Sequence, residues 1–388
     1  MKFIIDQDLL TRTLTDLVRI NSINPGLSQD GAGEMEIAGY VAGAMEAAGM
    51  EVHLDQLSPG RFNAVGIRKG AGGSSLMWNA HMDTVGVDAM EQPFQADIRE
   101  GRLFGRGSQD MKGSLAAMIA AARAINEAGI RLAGDLILAA VADEEYASLG
   151  TLDLVSRYTA DAAIVTEPTE LRLCVAHRGF ALFEIETFGR AAHGSRYLEG
   201  IDAIVHMGRF LTEMEAFGKD LIARPPHPLV GPPSVHASII QGGTEIGIYP
   251  AHCRLEVERR TSPGETDDQA TVELQAILDK LASQDTQFNA RLHRTLSRPP
   301  YEIDRQARIV KTLGRVVEDY LASPPIIGGA SFWTDAALLA EAGIPSVLLG
   351  PSGGGLHSAE EWVDLQSCVD LGEILVGSAL EFCGSAPA

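Results

Sequence analysis

The sequence predicts an α/β protein into which a smaller α+β unit is inserted, and three observations carry that prediction. Short apolar, β-rich runs alternate with Ala-rich amphipathic stretches through the first part of the chain, the pattern of a sheet layered with helices. Between residues 179 and 293 the texture changes to alternating strands such as Ala181-Leu182-Phe183-Glu184-Ile185-Glu186-Thr187, the period of a half-buried sheet. Beyond that stretch the first texture resumes. A chain of 388 residues is long enough for two hydrophobic cores. Residues 1–178 and 294–388 are therefore assigned to one discontinuous domain and residues 179–293 to the insert.

The elements follow in order. The first segment reads as a helix. Three later runs, 75–80, 135–142 and 162–165, are apolar enough for buried strands, and each delivers a polar residue at its carboxyl end. These are His81, the trio Asp143-Glu144-Glu145, and Glu167. Open α/β sheets place their ligands just beyond such strand ends. Between the first two runs, Gly105-Arg106-Gly107 makes a turn and Asp110 opens an Ala-rich helix over 112–128, where a carboxylate meets the positive end of the helix dipole. In the insert, a helix is expected over 203–217, a Pro-rich loop over 224–233, strands over 235–240 and 252–259, and a helix over 269–282. Ser346-Val347-Leu348-Leu349 is the last buried strand, followed by Gly350-Pro351 and the glycine run Gly353-Gly354-Gly355.

Composition narrows the function. Lys and Arg number 31 against 52 Asp and Glu, a net charge of −21, which repels phosphate backbones and anionic membrane surfaces. Nucleic acid and membrane are thereby excluded as expected partners. Cys174, Cys253, Cys368 and Cys383 lack CxxC spacing, so neither a disulfide framework nor a thiolate metal site is suggested, and a cytoplasmic location is expected. The first residues meet acidic groups before any signal-peptide core develops, and no run is apolar enough to span a bilayer.

The polar residues at the strand ends form a pattern. His81-Met82-Asp83 alone is a weak signal, since a lone His beside a strand is ordinarily structural. A zinc-type ion, however, takes neutral imidazole and carboxylate oxygens, and the second ring nitrogen of a ligand His is usually held by a carboxylate, a role that Asp83 is placed to fill. Glu144 and Glu145 are adjacent carboxylates with diverging side chains, so one can bind metal while the other accepts a proton from water. Glu167 repeats the arrangement one unit later, and His357 follows a glycine loop that permits close backbone approach. Candidate ligands spread over separate loops are the trace a long-range metal site leaves.

At these positions the chain resembles the M20 metallopeptidases, the group of acetylornithine deacetylases, succinyl-diaminopimelate desuccinylases, aminoacylases and glutamate carboxypeptidases. His81-Met82-Asp83 resembles the HxD of that family, Gly105-Arg106-Gly107-Ser108-Gln109-Asp110-Met111-Lys112-Gly113 its GRGxxDMKG, and Asp143-Glu144-Glu145 its (T/D)-E-E. Glu167-Pro168, Arg260-Thr261-Ser262-Pro263-Gly264-Glu265, and Gly350-Pro351 with Leu356-His357-Ser358-Ala359-Glu360 complete the set in order. The resemblance implies a mixed-sheet two-metal hydrolase domain with an inserted lid and dimerisation domain, and a homodimer formed through that lid. It implies that Asp110 bridges two divalent ions, with a cis peptide often following it. His81 and Glu167 complete one site, and Glu145 and His357 the other. The ligand types favour zinc, with cobalt or manganese as alternatives. Glu144 would take a proton from the attacking water and pass it to the leaving amine, while Asp83 orients His81. In the insert, Gly189-Arg190-Ala191-Ala192-His193-Gly194 resembles the stretch that supplies a His to the oxyanion, so His193 is the candidate donor. Arg260 matches an arginine suited to a substrate carboxylate; a surface ion pair is its other reading. Gly329, Ala330 and Ser331 resemble the substrate-side glycine loop.

One stretch departs from the pattern. Where many members carry Asn in GG-x-x-x-N-x-x-P, the chain reads Gly242-Gly243-Thr244-Glu245-Ile246-Gly247-Ile248-Tyr249-Pro250, with Gly247 at the Asn position. The remaining histidines, His53, His177, His206, His227, His236, His252 and His293, are read as structural. The expected reaction is hydrolysis of the amide bond of a small N-acyl amino acid. A carboxypeptidase or dipeptidase acting on a short peptide is the alternative, and a non-catalytic metal-binding homologue a further one. A dinucleotide enzyme is disfavoured, because Gly70-Ala71-Gly72-Gly73 opens no GxGxxG helix.

Overall fold

The computed structural model describes residues 5–87 and 90–386. Its contacts divide the chain into two units. The first comprises Met1–Val175, Ile303–Gly328 and Thr334–Ala388; the second comprises Ala176–Glu302 and Gly329–Trp333. The insert thus extends past the expected boundary at 293, which falls inside the strand Asn289–Arg298, a full member of the smaller sheet. The segment Gly329–Trp333 also groups with the insert. A Cβ on Gly329 would lie 2.7 Å from Val230 Cγ1 and 2.9 Å from the Leu229 carbonyl, so the glycine permits that packing.

In the first unit the sheet order runs Glu51–Ser58, Arg61–Arg68, Gly134–Val141, Gly73–His81, Ala162–Val165, Ser346–Leu348, Leu173–His177. Gly134–Val141, Gly73–His81, Ala162–Val165 and Ser346–Leu348 are mutually parallel, with antiparallel neighbours on either side. The sheet is therefore mixed. Its centre is apolar on both faces, as parallel strands covered by helices require. Trp78 lies in register with Leu138 and Ile164, all three fully buried. The parallel strands end on one edge, so His81, the Glu144-Glu145 turn and Glu167 emerge side by side, and the loop bearing His357 follows the strand Ser346–Leu348.

Helix starts follow from capping chemistry, in which a side-chain oxygen satisfies a free amide of the first turn. Asp6 caps Gln7–Arg19 and Asp364 caps Leu365–Cys383. The helix after Asp110 differs in detail from the sequence expectation. Gly113–Glu127 begins beyond Asp110, which sits in a kinked turn at φ −119° and ψ 93°, and the Asp110–Met111 peptide is cis.

The second unit is a four-stranded antiparallel sheet, ordered Ser234–Gly242, His252–Thr261, Gly179–Phe188, Asn289–Arg298. Burial alternates along Gly179–Phe188. Its buried face packs Phe183, Ile185, Leu255 and Val257 against Phe210 of helix Ala203–Ala223 and Leu274 of helix Asp267–Gln284. Among the described residues no helix is long and apolar enough to cross a membrane.

Candidate active site

The first unit gathers all the predicted ligands at one place. His81, at the end of its strand, is 2% exposed and places Nε2 2.9 Å from Asp110 Oδ1 and 3.9 Å from Glu167 Oε1. His357, half exposed, places Nε2 3.4 Å from Asp110 Oδ2 and 3.3 Å from Glu145 Oε1. Asp110 thus faces one imidazole with each oxygen. Glu144 takes no part in those pairs, yet its carboxylate stands within 4.8 Å of ligating atoms of His81 and Glu167.

Close backbone packing holds these loops. A Cβ at Gly350 would lie 2.1 Å from the Glu167 carbonyl oxygen, and one at Gly355 would lie 1.7 Å from the Glu360 carbonyl oxygen. Gly355 also has φ +80°, which favours glycine. The ring of His81 donates Nδ1–H to the carbonyl oxygen of Asp83 at 2.9 Å, which turns Nε2 toward Asp110. The Asp83 carboxylate is 3.7 Å from that ring. It accepts instead the N–H groups of Glu144 and Glu145, at 3.1 and 3.2 Å. Asp83 therefore meets His81 through its backbone and supports the glutamates through its side chain.

Behind that turn lies a polar cluster that the sequence did not reveal. The Asn24 amide donates to Asp83 Oδ2 at 2.7 Å and to Asp143 Oδ1 at 2.9 Å. Arg61 donates to Glu34 and, at 2.7 Å, to Asp143, whose backbone is left-handed at φ +68°. These groups are buried, and their pairing satisfies charges that would otherwise be costly to bury.

The electrostatics fit cations. Burial pushes Glu144 and Glu167 well above the usual carboxylate range, helped for Glu144 by the charge of Glu167 and for Glu167 by that of Asp110. Glu145 is raised by burial and by Asp110. Burial opposes charge on His81, but its hydrogen bond to Asp110 and the nearby carboxylates carry it well above the ordinary imidazole value. Hydrogen bonds to Asp110 and Glu145 raise His357 to about 10. Asp110, despite its burial, is held below the usual carboxylate range by its hydrogen bonds with His357 and His81, and Glu144, Glu145 and Glu167 crowd around it. Two divalent cations would balance their four charges, and imidazole with carboxylate is a donor set that suits such ions.

The second unit carries the other candidates. Ser195 N–H donates to His193 Nδ1 at 3.2 Å, an acceptor role for Nδ1 that leaves Nε2 as the edge suited to donate. Arg260 pairs through Nε with Glu258 at 2.8 Å and lies 5.5 Å above the Phe180 ring. Its neighbour Arg178, absent from the sequence reading, donates Nε–H to the Val230 carbonyl at 2.8 Å and has no carboxylate partner among the described residues. Burial lowers Arg178, and the charge of Arg260 lowers it further. Arg178 N–H also donates to the Ala330 carbonyl at 3.3 Å, which joins it to the segment Gly329, Ala330 and Ser331. Nothing in local sequence marks Arg178, because the fold alone brings the charge of Arg260 near it.

Comparison with known proteins gives a family and a fold. The sequence model of peptidase family M20/M25/M40 matches residues 77–381. The chain is 28% identical over 389 residues to acetylornithine deacetylase of Myxococcus xanthus, covering 97% of this chain and 98% of that protein. It is 28% identical over 383 residues to N-formyl-4-amino-5-aminomethyl-2-methylpyrimidine deformylase of Bacillus subtilis strain 168, covering 89% of each. Its fold is similar to the crystal structure of aminopeptidase PepT from Bacillus cereus ATCC 10987, with a TM-score of 0.81 at 20% identity, covering 97% of this chain and 99% of that one.

Proposed function

The chain belongs to peptidase family M20/M25/M40, and from that premise we propose that it is a two-metal amidohydrolase that cleaves the amide bond of a small N-acyl amino acid. The observation that carries the proposal is the convergence of His81, Asp110, Glu145, Glu167 and His357, with Glu144 beside them and outside their pairs. His81, Asp110 and Glu167 would hold one ion; His357, Asp110 and Glu145 would hold the other. Zinc suits the donors, and cobalt or manganese would also be accepted. Divalent ions bound there would supply Lewis-acid charge to the water and the scissile carbonyl.

The protein groups do the rest. Glu144 takes the proton of the attacking water and delivers it to the departing amine nitrogen, a transfer favoured by the burial that raises its proton affinity. His193, protonated on Nε2, donates to the oxyanion of the tetrahedral species. Arg178 and Arg260 offer adjacent guanidinium groups for a substrate carboxylate, and Gly329–Ser331 lies against Arg178. That pair suits the C-terminal carboxylate of a peptide as well, which keeps a carboxypeptidase or dipeptidase as the second reading. Association into a homodimer through the second unit is supported by its edge strand Ser234–Gly242, paired on one side only and carrying exposed Ile239 and Ile240.

The deciding experiment loads the metal-free chain with zinc, cobalt or manganese and assays N-acetyl, N-formyl and N-succinyl amino acids beside dipeptides. Preferred turnover of acyl amino acids supports the proposal. Preference for dipeptides establishes the second reading, and inactivity on the whole panel with both ions bound would overturn both.

A further inference from the structure

Arg106 and Glu361 lie behind the ligands and outside the metal set. The Glu361 side chain is 1% exposed, and all its acceptor capacity is committed. Its Oε1 accepts the N–H groups of Gln109 at 2.9 Å and Asp110 at 3.1 Å; its Oε2 accepts Gly107 N–H at 3.0 Å and Arg106 Nη1–H at 2.7 Å. The Glu361 carbonyl also accepts Gly105 N–H at 3.0 Å. One carboxylate, four residues beyond His357, therefore fixes the backbone of the segment that delivers Asp110.

Arg106 extends the connection. Its Nε donates to the Gly86 carbonyl and its Nη2 to the Ser358 carbonyl, each at 3.0 Å. The planar guanidinium so joins three loops: the one following His81, the one leading to Asp110 and the one carrying His357. A buried ion pair contributes little to stability compared with apolar packing of the same volume. What it fixes is geometry, because displacing the carboxylate would strand three buried amides and a guanidinium.

The ligands differ in how far they depend on this pair. His81 ends a central strand and has its own anchor in the Asp83 carbonyl, and Glu167 ends another and packs against Gly350. His357 stands in a loop, half exposed and left-handed at φ +56°, and that loop reaches the rest of the site through Arg106 and Glu361. We propose that Arg106 and Glu361 are positioning residues that lock the Asp110 loop to the His357 loop and so set the affinity for the ion held by Asp110, Glu145 and His357. The inference rests on the two-ion reading of the site given above.

The test titrates the metal-free chain with Co²⁺, followed by calorimetry and by visible absorption, for the parent, Glu361→Gln and Arg106→Lys. The expected result is a first ion bound within about threefold of the parent and a second weakened by about 10- to 100-fold, the usual effect of losing a group that orients a ligand. Absorption assigned to the second ion should shift toward that of a less constrained site. Arg106→Lys keeps the charge but lacks the three-way fork, so it should fall between the parent and Glu361→Gln, and it decides the matter alone should Glu361→Gln not fold. The proposal is overturned by two ions binding to the folded variant as they do to the parent. It is equally overturned by both ions weakening alike together with a lower melting temperature of the metal-free chain, the mark of a merely structural pair. A parent that binds fewer than two ions would instead refute the two-ion reading itself.

Discussion

Asp83 holds the backbone of Glu144, its Oδ1 accepting the Glu144 N–H at 3.1 Å while Oδ2 takes the next amide along. The residue expected to steer an imidazole also sets where the glutamate pair begins. Its four neighbours Asn24, Asp143, Arg61 and Glu34 extend that support inward. The chemistry at the strand ends is thus built on a buried polar platform, and disturbing the platform should alter catalysis without touching a ligand.

Asp83→Asn tests this directly. The amide retains one acceptor oxygen where the carboxylate has two, so a buried N–H of Glu144 or Glu145 loses its partner, at about 1–3 kcal/mol. Denaturant unfolding of the metal-free variant should show that loss. Steady-state kinetics should show kcat falling while KM stays within a few fold, since the displaced groups act on the reacting atoms. A variant with lowered stability and unchanged kcat would mean that the platform only supports the fold.

Glu144→Gln should separate chemistry from metal binding. The substitution keeps shape and removes the proton acceptor, and general-base groups contribute about 10²- to 10⁴-fold to rate. Metal analysis of the purified variant should match the parent, because Glu144 lies outside the pairs proposed to hold the two ions. Loss of an ion from the variant would reassign Glu144 as a ligand, and parental turnover would remove it from the mechanism.

Metal binding should release protons and strengthen as pH rises. In the metal-free site His357 is raised to about 10 by Asp110 and Glu145, while burial and neighbouring charge hold Glu144 and Glu167 well above the usual carboxylate range. With its pKa at about 10, His357 keeps its proton through neutral pH, and a ligand atom must shed its proton before it coordinates. Acid therefore favours the protonated, metal-free site, and each step upward in pH through the neutral range favours the ions until His357 deprotonates unaided near 10. Calorimetric titration at pH 7 in two buffers of different ionisation enthalpy should reveal release of at least about one proton per chain. An apparent enthalpy that does not depend on the buffer would contradict this account.

Three of the proposed ligands were legible in sequence because each closes an apolar run, so that period and composition place His81, Glu145 and Glu167 on one edge of a sheet. Asp110 and His357 needed the motif order as well, since neither ends a strand. What stayed hidden was the support. Arg106 and Glu361 are 255 residues apart, Arg61 and Asp143 are 82 apart, and an Arg or Glu in a loop reads as a solvated charge until the fold buries it. The boundary of the insert was misplaced at 293 for a related reason: the strand Asn289–Arg298 is an edge strand with four of its ten residues exposed and none buried, and its alternation is diluted by Arg291, His293, Arg294 and Arg298.

Gly247 offers the last test, because the departure it represents is accommodated rather than required by the fold. A Cβ there would meet nothing within 4 Å, and its φ lies outside the left-handed range, so Gly247→Asn should alter stability by no more than about 0.5 kcal/mol. The Gly247 carbonyl accepts Gly194 N–H at 2.8 Å, and Ile248 forms a β-bridge with His193. An amide introduced at this position therefore stands beside the proposed oxyanion donor, where a second donor would strengthen the hold on developing negative charge. Turnover of the acyl amino acids that the parent already cleaves should rise by about tenfold, a modest fraction of what one oxyanion donor contributes elsewhere. A rise confined to kcat would place residue 247 at the transition state. A change confined to KM would place it at substrate binding, and no change in either would mean that the loop lies away from the chemistry and that Gly247 does not shape what this enzyme accepts.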